Sequence, residues 1–259
     1  MWVIDQDDPS WQLFKDKPWK AGQRTENDAK VYAAFMHMVD RQIGEIIATL
    51  KELDLDQDTI FFLCGDNGGQ AYFPTKERPH GFFGPNLNPE TGKRFKAGKG
   101  SLYEGGLKVP FLVRWPGMIK ESVTTDHLCY FPDIMPTLAE LAGATSPKTD
   151  GLSLKPTLMG EPGQKNHEYL YWEFVGQTAV RMKNWKAYKG KKGEWQLYDL
   201  AKDVEEKNDL SKSQANVLKK LVGFAEAAHE PIRPGEIYDR VLIDKDRKQA
   251  PHSRNKKKK

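Results

Sequence analysis

The sequence predicts an α/β fold: a mostly parallel core sheet flanked by helices over residues 1–160, a small α+β subdomain containing an antiparallel sheet over 161–235, and a basic, disordered tail over 236–259. Three observations predict it. Between residues 27 and 56, Val31, Phe35, Met38, Ile43, Ile46, Leu50 and Leu53 recur at helical spacing. "TIFFLC", Thr59 to Cys64, is apolar throughout and reads as a strand covered on both faces, as in a parallel sheet under helices. Past Pro162 the texture changes to short aromatic runs separated by turn residues, the pattern of an antiparallel meander.

Taken in order, the first 26 residues mix Asp, Pro, Lys and Trp without a period and read as an irregular segment lying on the surface. The long helix follows, with Asn27 or Asp28 as its N-cap. His37 and Asp40 lie on it, and a lone histidine on an amphipathic helix reads as structural. After the "TIFFLC" strand, residues 68–98 are dense in Gly, Pro, Asn and charge, a loop long enough to be functional or disordered. "VPFLVRWP" is a second strand closed by Pro116-Gly117, with Arg114 and Trp115 in structural roles. "FPDIMPTLAELAGA", Phe131 to Ala144, reads as a helix that stops at Gly143 despite Pro136 near its start. "EYLYWEF", "TAVRMKN", "WKAYKG" and "EWQLYDL" are the meander strands; their aromatic residues could stack on sugars but read better as core. "SQANVLKKLVGFAEAAHE" closes the fold as an amphipathic helix.

Composition narrows the function. With 38% hydrophobic and 29% charged residues the 259-residue chain is of the globular class. No apolar run approaches the ~20 residues of a membrane-spanning helix. The N-terminal "MWVIDQDDPSWQLFKDKPWK" lacks the basic-then-apolar pattern of a signal peptide. The net charge of +4 is misleading, because residues 245–259 hold eight Lys/Arg and one Asp, a net +7 that leaves −3 on everything before. A nucleic-acid binder carries its positive charge on the fold, so no nucleic-acid partner is expected. Cys64 and Cys129 are too few for a disulfide framework and do not set the compartment.

One constellation could carry chemistry. Asp66 and Asn67, in "FFLCGDNGGQ", directly follow the carboxyl end of a strand, where ligands bind in open α/β sheets. A carboxylate and an amide carbonyl are hard oxygen donors suited to Ca²⁺ or Mg²⁺. Asp-Asn-Gly-Gly is equally good turn chemistry, and both readings stand on the residues alone. In "AGKGSLYEGG", Lys99 lies between glycines that permit close approach, and could pair with a sulfate or phosphate oxygen. His80, in "RPHGFFGPN", is either a proton donor or a loop histidine. Glu104 is expected to hold the loop rather than touch substrate.

"FFLCGDNGG", "AGKGSLYEGGLKVPFLVRWPGMI", "YFPDIMPTLAELAG", "DGLSL" and "WQLYDLAKDVEEKNDLS" occur in the order found in sulfatases. From about Asn27 to about Glu230 the chain resembles the C-terminal part of an arylsulfatase-type enzyme with an alkaline-phosphatase-like fold. The resemblance implies a partial core of that fold and hydrolysis of a sulfate ester, aryl or carbohydrate. It implies that Asp66 and Asn67 ligate a catalytic divalent cation, usually Ca²⁺, and that Lys99 contacts the sulfate, with His80 a further candidate in a segment of variable length. It also implies a formylglycine nucleophile, made from Cys or Ser in C/S-x-P/A-x-R, and export of the full-length protein to the periplasm or outside the cell.

That nucleophile motif is absent from the sequence. Cys64 begins "CGDNG", Cys129 begins "CYFPD", and "SQANV" has the alanine but a valine where arginine must stand. The expectation is a fragment inactive alone, missing an N-terminal half with the nucleophile and the remaining metal ligands. One alternative is a non-catalytic or split-enzyme partner that keeps the fold for binding. A weaker one is a phosphoesterase of the same superfamily, since cation and lysine serve phosphate equally well.

Overall fold

The computed structural model describes residues 4–17, 23–70, 86–235 and 240–249. The N-terminal segment is more regular than expected. Helix α1 (Pro9–Phe14) starts behind Asp8, whose side chain accepts from the Ser10 N–H, with Pro9 at its first turn. Helix α2 (Gln23–Glu52) begins before Asn27 and Asp28, so neither caps it; Gln23, Arg24 and Glu26 are good helix formers that extend it. His37 is structural, its Nδ1 lying 3.0 Å from Ser10 Oγ, and Arg41 pairs with Asp8 at 3.0 Å to hold α1 on α2.

Strand β1 (Phe61–Cys64) pairs with β2 (Phe111–Arg114) in antiparallel register, Leu63 opposite Leu112. This corrects the expectation of a parallel strand covered on both faces: among the described residues β1 has one neighbour, and the chain returns beside it. An unbroken apolar run does not report direction, because burial and not polarity of the ladder selects it. Asp56 grips Arg114 through two bonds of 2.7 and 3.0 Å, and Trp115 Nε1 donates to Gln57 O at 2.7 Å, closing one end of the pair. Leu63 and Leu112 are 37% and 58% exposed on the same face of a two-stranded ribbon. Exposed apolar ribbon of this kind invites association. Leu112→Lys is therefore expected to lower binding of a hydrophobic dye and concentration-dependent scattering while leaving the melting temperature unchanged. A fall in melting temperature would mean that Leu112 is a packing residue.

Helix α3 (Glu104–Leu107) is a single turn, and a 3₁₀ turn at Phe131–Asp133 leads into α4 (Ile134–Leu141). Asp133 is fully buried and accepts from Tyr130 N, Leu152 N and His167 Nε2 at 2.8–2.9 Å. It thereby ties α4 to the turn before α5 (Lys155–Met159) and to the approach of the next strand. The meander is as expected: β3 (Leu170–Phe174), β4 (Gln177–Met182), β5 (Trp185–Lys189) and β6 (Trp195–Asp199) pair in sequence order, all antiparallel.

Alternation decides what lies on each side of this sheet. Val180, Ala187 and Leu197 face α6 (Ala215–Ala228), burying Leu221 and Ala225, with Trp185 and Trp195 packed alongside. Ala179, Tyr188 and Tyr198 face the other way, against Leu102, Tyr103 and Leu107. The aromatic strands are thus core, and their second face is the floor beneath the "GKGSLYEGG" segment. Within the segment expected to be a disordered tail, Arg240–Gln249 forms helix α7, built from good helix formers; residues 236–239 and 250–259 lie outside the described residues. Among the described residues no helix is long and apolar enough to cross a membrane.

Candidate functional site

The loop leaving β1 locks through its backbone onto the segment made of the loop entering α3, α3 itself and the residues before β2. Gly68 N–H donates to Gly106 O at 2.9 Å, Lys99 N–H to Gly69 O at 3.0 Å, and Gly65 N–H to Pro110 O at 3.3 Å. The approach is close enough that a Cβ on Gly68 would run into the Gly105 carbonyl, and one on Gly105 into the carbonyls of Lys96 and Ala97. Here glycine is required by contact, whatever its backbone angles. The glycines that read as a turn signal in the sequence are the mating surfaces of two loops.

This interlock brings the expected residues together. Asp66 and Asn67 immediately precede the locked Gly68-Gly69, and Lys99 is bonded to Gly69 through its own amide. Asp66 and Lys99 are exposed and Asn67 is half-buried. A carboxylate and an amide oxygen match the donor chemistry of a hard divalent cation, which takes six or more oxygens. Among the described residues no group of three or more acidic, histidine or cysteine side chains completes such a shell. The donors fit as part of a site. His80 lies outside the described residues.

Beneath the loop is a buried charge network that sequence reading missed. Lys186 on β5 is fully buried between Glu104 Oε1 at 2.9 Å and Glu206 Oε1 at 3.0 Å. Arg181 approaches Glu104 Oε2 at 3.5 Å, and Glu206 Oε2 accepts from the Glu104 N–H at 2.8 Å. Arg181 and Lys186 are directly paired across β4 and β5, a repulsive arrangement that the carboxylate of Glu104 relieves. Burial pushes the Glu104 carboxyl up, but the charges of Lys186 and Arg181 outweigh it and hold the group below the ordinary glutamate range. Glu206 goes the other way: burial dominates, and Lys186 only partly offsets it. The Glu206 carbonyl accepts from Lys96 Nζ at 2.9 Å, and that ammonium lies 4.1 Å from the Tyr103 ring centre. Burial lowers the Lys96 pKa against the opposing pull of Glu206.

One sequence signal could have exposed this network. Strand alternation in "WKAYK" puts Lys186 on the face of Tyr188, a core face, and a lysine at such a position demands a buried carboxylate. Nothing local marks Glu206 as the partner. Glu104 holds the loop, as expected.

Comparisons with known proteins cover the same stretch of chain. The sulfatase family model matches residues 5–144, and that of the C-terminal part of N-sulphoglucosamine sulphohydrolase matches residues 93–224. An uncharacterised sulfatase of Schizosaccharomyces pombe is 30% identical, the match covering 83% of this chain and 45% of that protein. Steryl-sulfatase of Rattus norvegicus is 32% identical over 61% of this chain and 28% of its own length. Among solved structures, Ps i-CgsB in complex with k-i-k-neocarrahexaose is similar, with a TM-score of 0.65, 31% identity, and coverage of 84% of this chain and 45% of that one. The chain spans less than half the length of each of these relatives.

Proposed function

Because the chain belongs to the sulfatase family, we propose that it carries the cation- and sulfate-contacting part of a sulfuric ester hydrolase site. Asp66 and Asn67 supply oxygen ligands to a divalent cation, Ca²⁺ by preference for hard, irregular oxygen shells. Lys99 places its ammonium against an oxygen of the sulfate in an aryl or carbohydrate sulfate ester. The observation that carries this reading is the backbone lock, in which the Lys99 amide bonds to Gly69 two residues beyond Asn67. When bound, the cation supplies positive charge against the sulfuryl oxygens as the ester bond breaks. Lys99 adds a second, fixed positive charge, and its exposed position leaves room for substrate. The nucleophile belongs to a formylglycine that the C/S-x-P/A-x-R motif would yield, and none of these 259 residues forms that motif.

The experiment is a pair of titrations of the purified chain, Tb³⁺ luminescence with Ca²⁺ competition, and sulfate followed by amide chemical shifts. Ca²⁺ is expected to bind in the ~0.1–1 mM range of weak oxygen sites. Asp66→Ala abolishes this binding, and Lys99→Ala abolishes the sulfate response but keeps the Ca²⁺ response. Unchanged Ca²⁺ binding in the Asp66 variant would overturn the ligand assignment. Turnover of an aryl sulfate by the chain alone would overturn the placement of the nucleophile elsewhere.

A second reading has this chain working with another polypeptide segment that supplies the nucleophile. The exposed Leu63–Leu112 face beside the site supports it, since apolar ribbon next to a half-site is a natural docking surface.

A further inference from the structure

The two loops of the site are bridged by one side chain that belongs to neither. Asn86 Nδ2 donates to Gly69 O at 3.1 Å and to Gly105 O at 3.0 Å. Gly69 O thus receives the Lys99 amide and the Asn86 amide together, filling both its lone pairs. Asn86 is itself held in place: its carbonyl accepts from the buried Phe95's N–H at 2.8 Å, and Leu87 bridges Arg94 in antiparallel fashion. The turn between is fixed by Asn88, whose Oδ1 accepts from Glu90 N and Thr91 N at 2.9 and 3.1 Å. A short, self-braced hairpin therefore presents one amide group to the seam where the Asp66-Asn67 loop meets the Lys99 loop.

We propose that Asn86 is a positioning residue: its two N–H donors clamp the Asp66-Asn67 loop to the α3 turn that ends the Lys99 loop and so set the spacing between cation and sulfate contacts. The inference rests on the functional reading above only for what the two loops hold. The clamp itself rests on the bonds to Gly69 and Gly105. The geometry also explains why an amide is needed. A carboxylate of the same shape has no donors and would face two carbonyl oxygens, and an alanine would leave both without this partner.

The test compares Asn86→Asp with Asn86→Ala, because the aspartate keeps the volume while losing the donors. Backbone hydrogen exchange is read at Lys99 and at Gly68, together with Ca²⁺ and sulfate titrations. Both variants are expected to lose at least tenfold of the protection at the Lys99 amide and to bind Ca²⁺ and sulfate several-fold more weakly, with protection in β4 and β5 unchanged. Should N86D keep wild-type protection at Lys99 while N86A loses it, Asn86 fills space only and the proposal is overturned. If the wild-type chain binds neither ion but both variants still release the Lys99 amide, the clamp stands and the functional reading fails. Wild-type ion binding with both variants unchanged overturns the clamp alone.

Discussion

Replacing Lys186 with methionine is expected to cost about 3–5 kcal/mol of stability, the size of effect seen when one partner of a buried ion pair is removed. Methionine fits the stem of lysine, so the loss is electrostatic. It leaves Glu104 and Glu206 buried without the ammonium that lies within 3.0 Å of both. Glu104 retains Arg181 at 3.5 Å, while Glu206 retains no ion pair among the described residues. Adding Glu206→Gln to K186M is therefore expected to recover a large part of the loss. The pH dependence has a definite sign. In the wild type, Glu104 is held below its ordinary range, so its contribution is present at neutral pH and disappears as pH falls through the folded value. Glu206 is held above its range, so its protonation on acidification favours the folded chain. In K186M both carboxylates gain by taking protons, and the stability gap to wild type narrows as pH falls toward the ordinary glutamate value of ~4.3. Urea melts at neutral and acid pH measure it. A gap that stays constant with pH would assign the loss to packing instead.

This network links the meander to the proposed site. Lys186 and Arg181 stand on strands, Glu206 follows β6, and all converge on Glu104, five residues after Lys99. The sheet is a rigid floor, so the glycine loop above it is placed by strands remote in sequence from the residues that would touch substrate. Sites on rigid elements hold geometry better than sites on free loops.

How far the sequence revealed this depended on the range of each signal. Helical period and strand alternation are local, and they delivered α2, α4, α6 and all four meander strands. The cap at Asn27 or Asp28 failed because good helix formers precede it, and a cap residue inside a continuing helix gives no stop. The direction of β1 against β2 was not legible, since "TIFFLC" carries burial information but no record of its neighbour. Asp66, Asn67 and Lys99 were expected as a group from ordered motifs, and the structure shows their loops in backbone contact. Asn86 was invisible for a different reason. An asparagine between prolines in a polar loop carries the same composition whether it turns the chain or clamps another loop.

Gly68→Ala is expected to separate the two halves of the site by itself. Gly68 is buried, and its added methyl would collide with the Gly105 carbonyl, with the Gly105 carbonyl carbon and the Gly106 Cα just behind. These are backbone atoms and cannot swing aside. Either the Asp66-Asn67 loop or the Lys99 loop must move, and the Gly68 N–H bond to Gly106 O goes with it. Overpacking of this kind costs about 1–3 kcal/mol, occasionally more. The functional loss should exceed what stability alone explains, because the Ca²⁺ and sulfate contacts proposed above lie on opposite sides of the seam. Both titrations are expected to fall silent at temperatures where the variant is still folded. Gly44→Ala supplies the contrast: that glycine is in α2 with nothing within 4 Å of the added carbon. There alanine should stabilise by roughly 0.5–1 kcal/mol and leave both titrations intact. If G68A binds both ions like wild type, the seam does not set the site, and the glycines there serve folding alone.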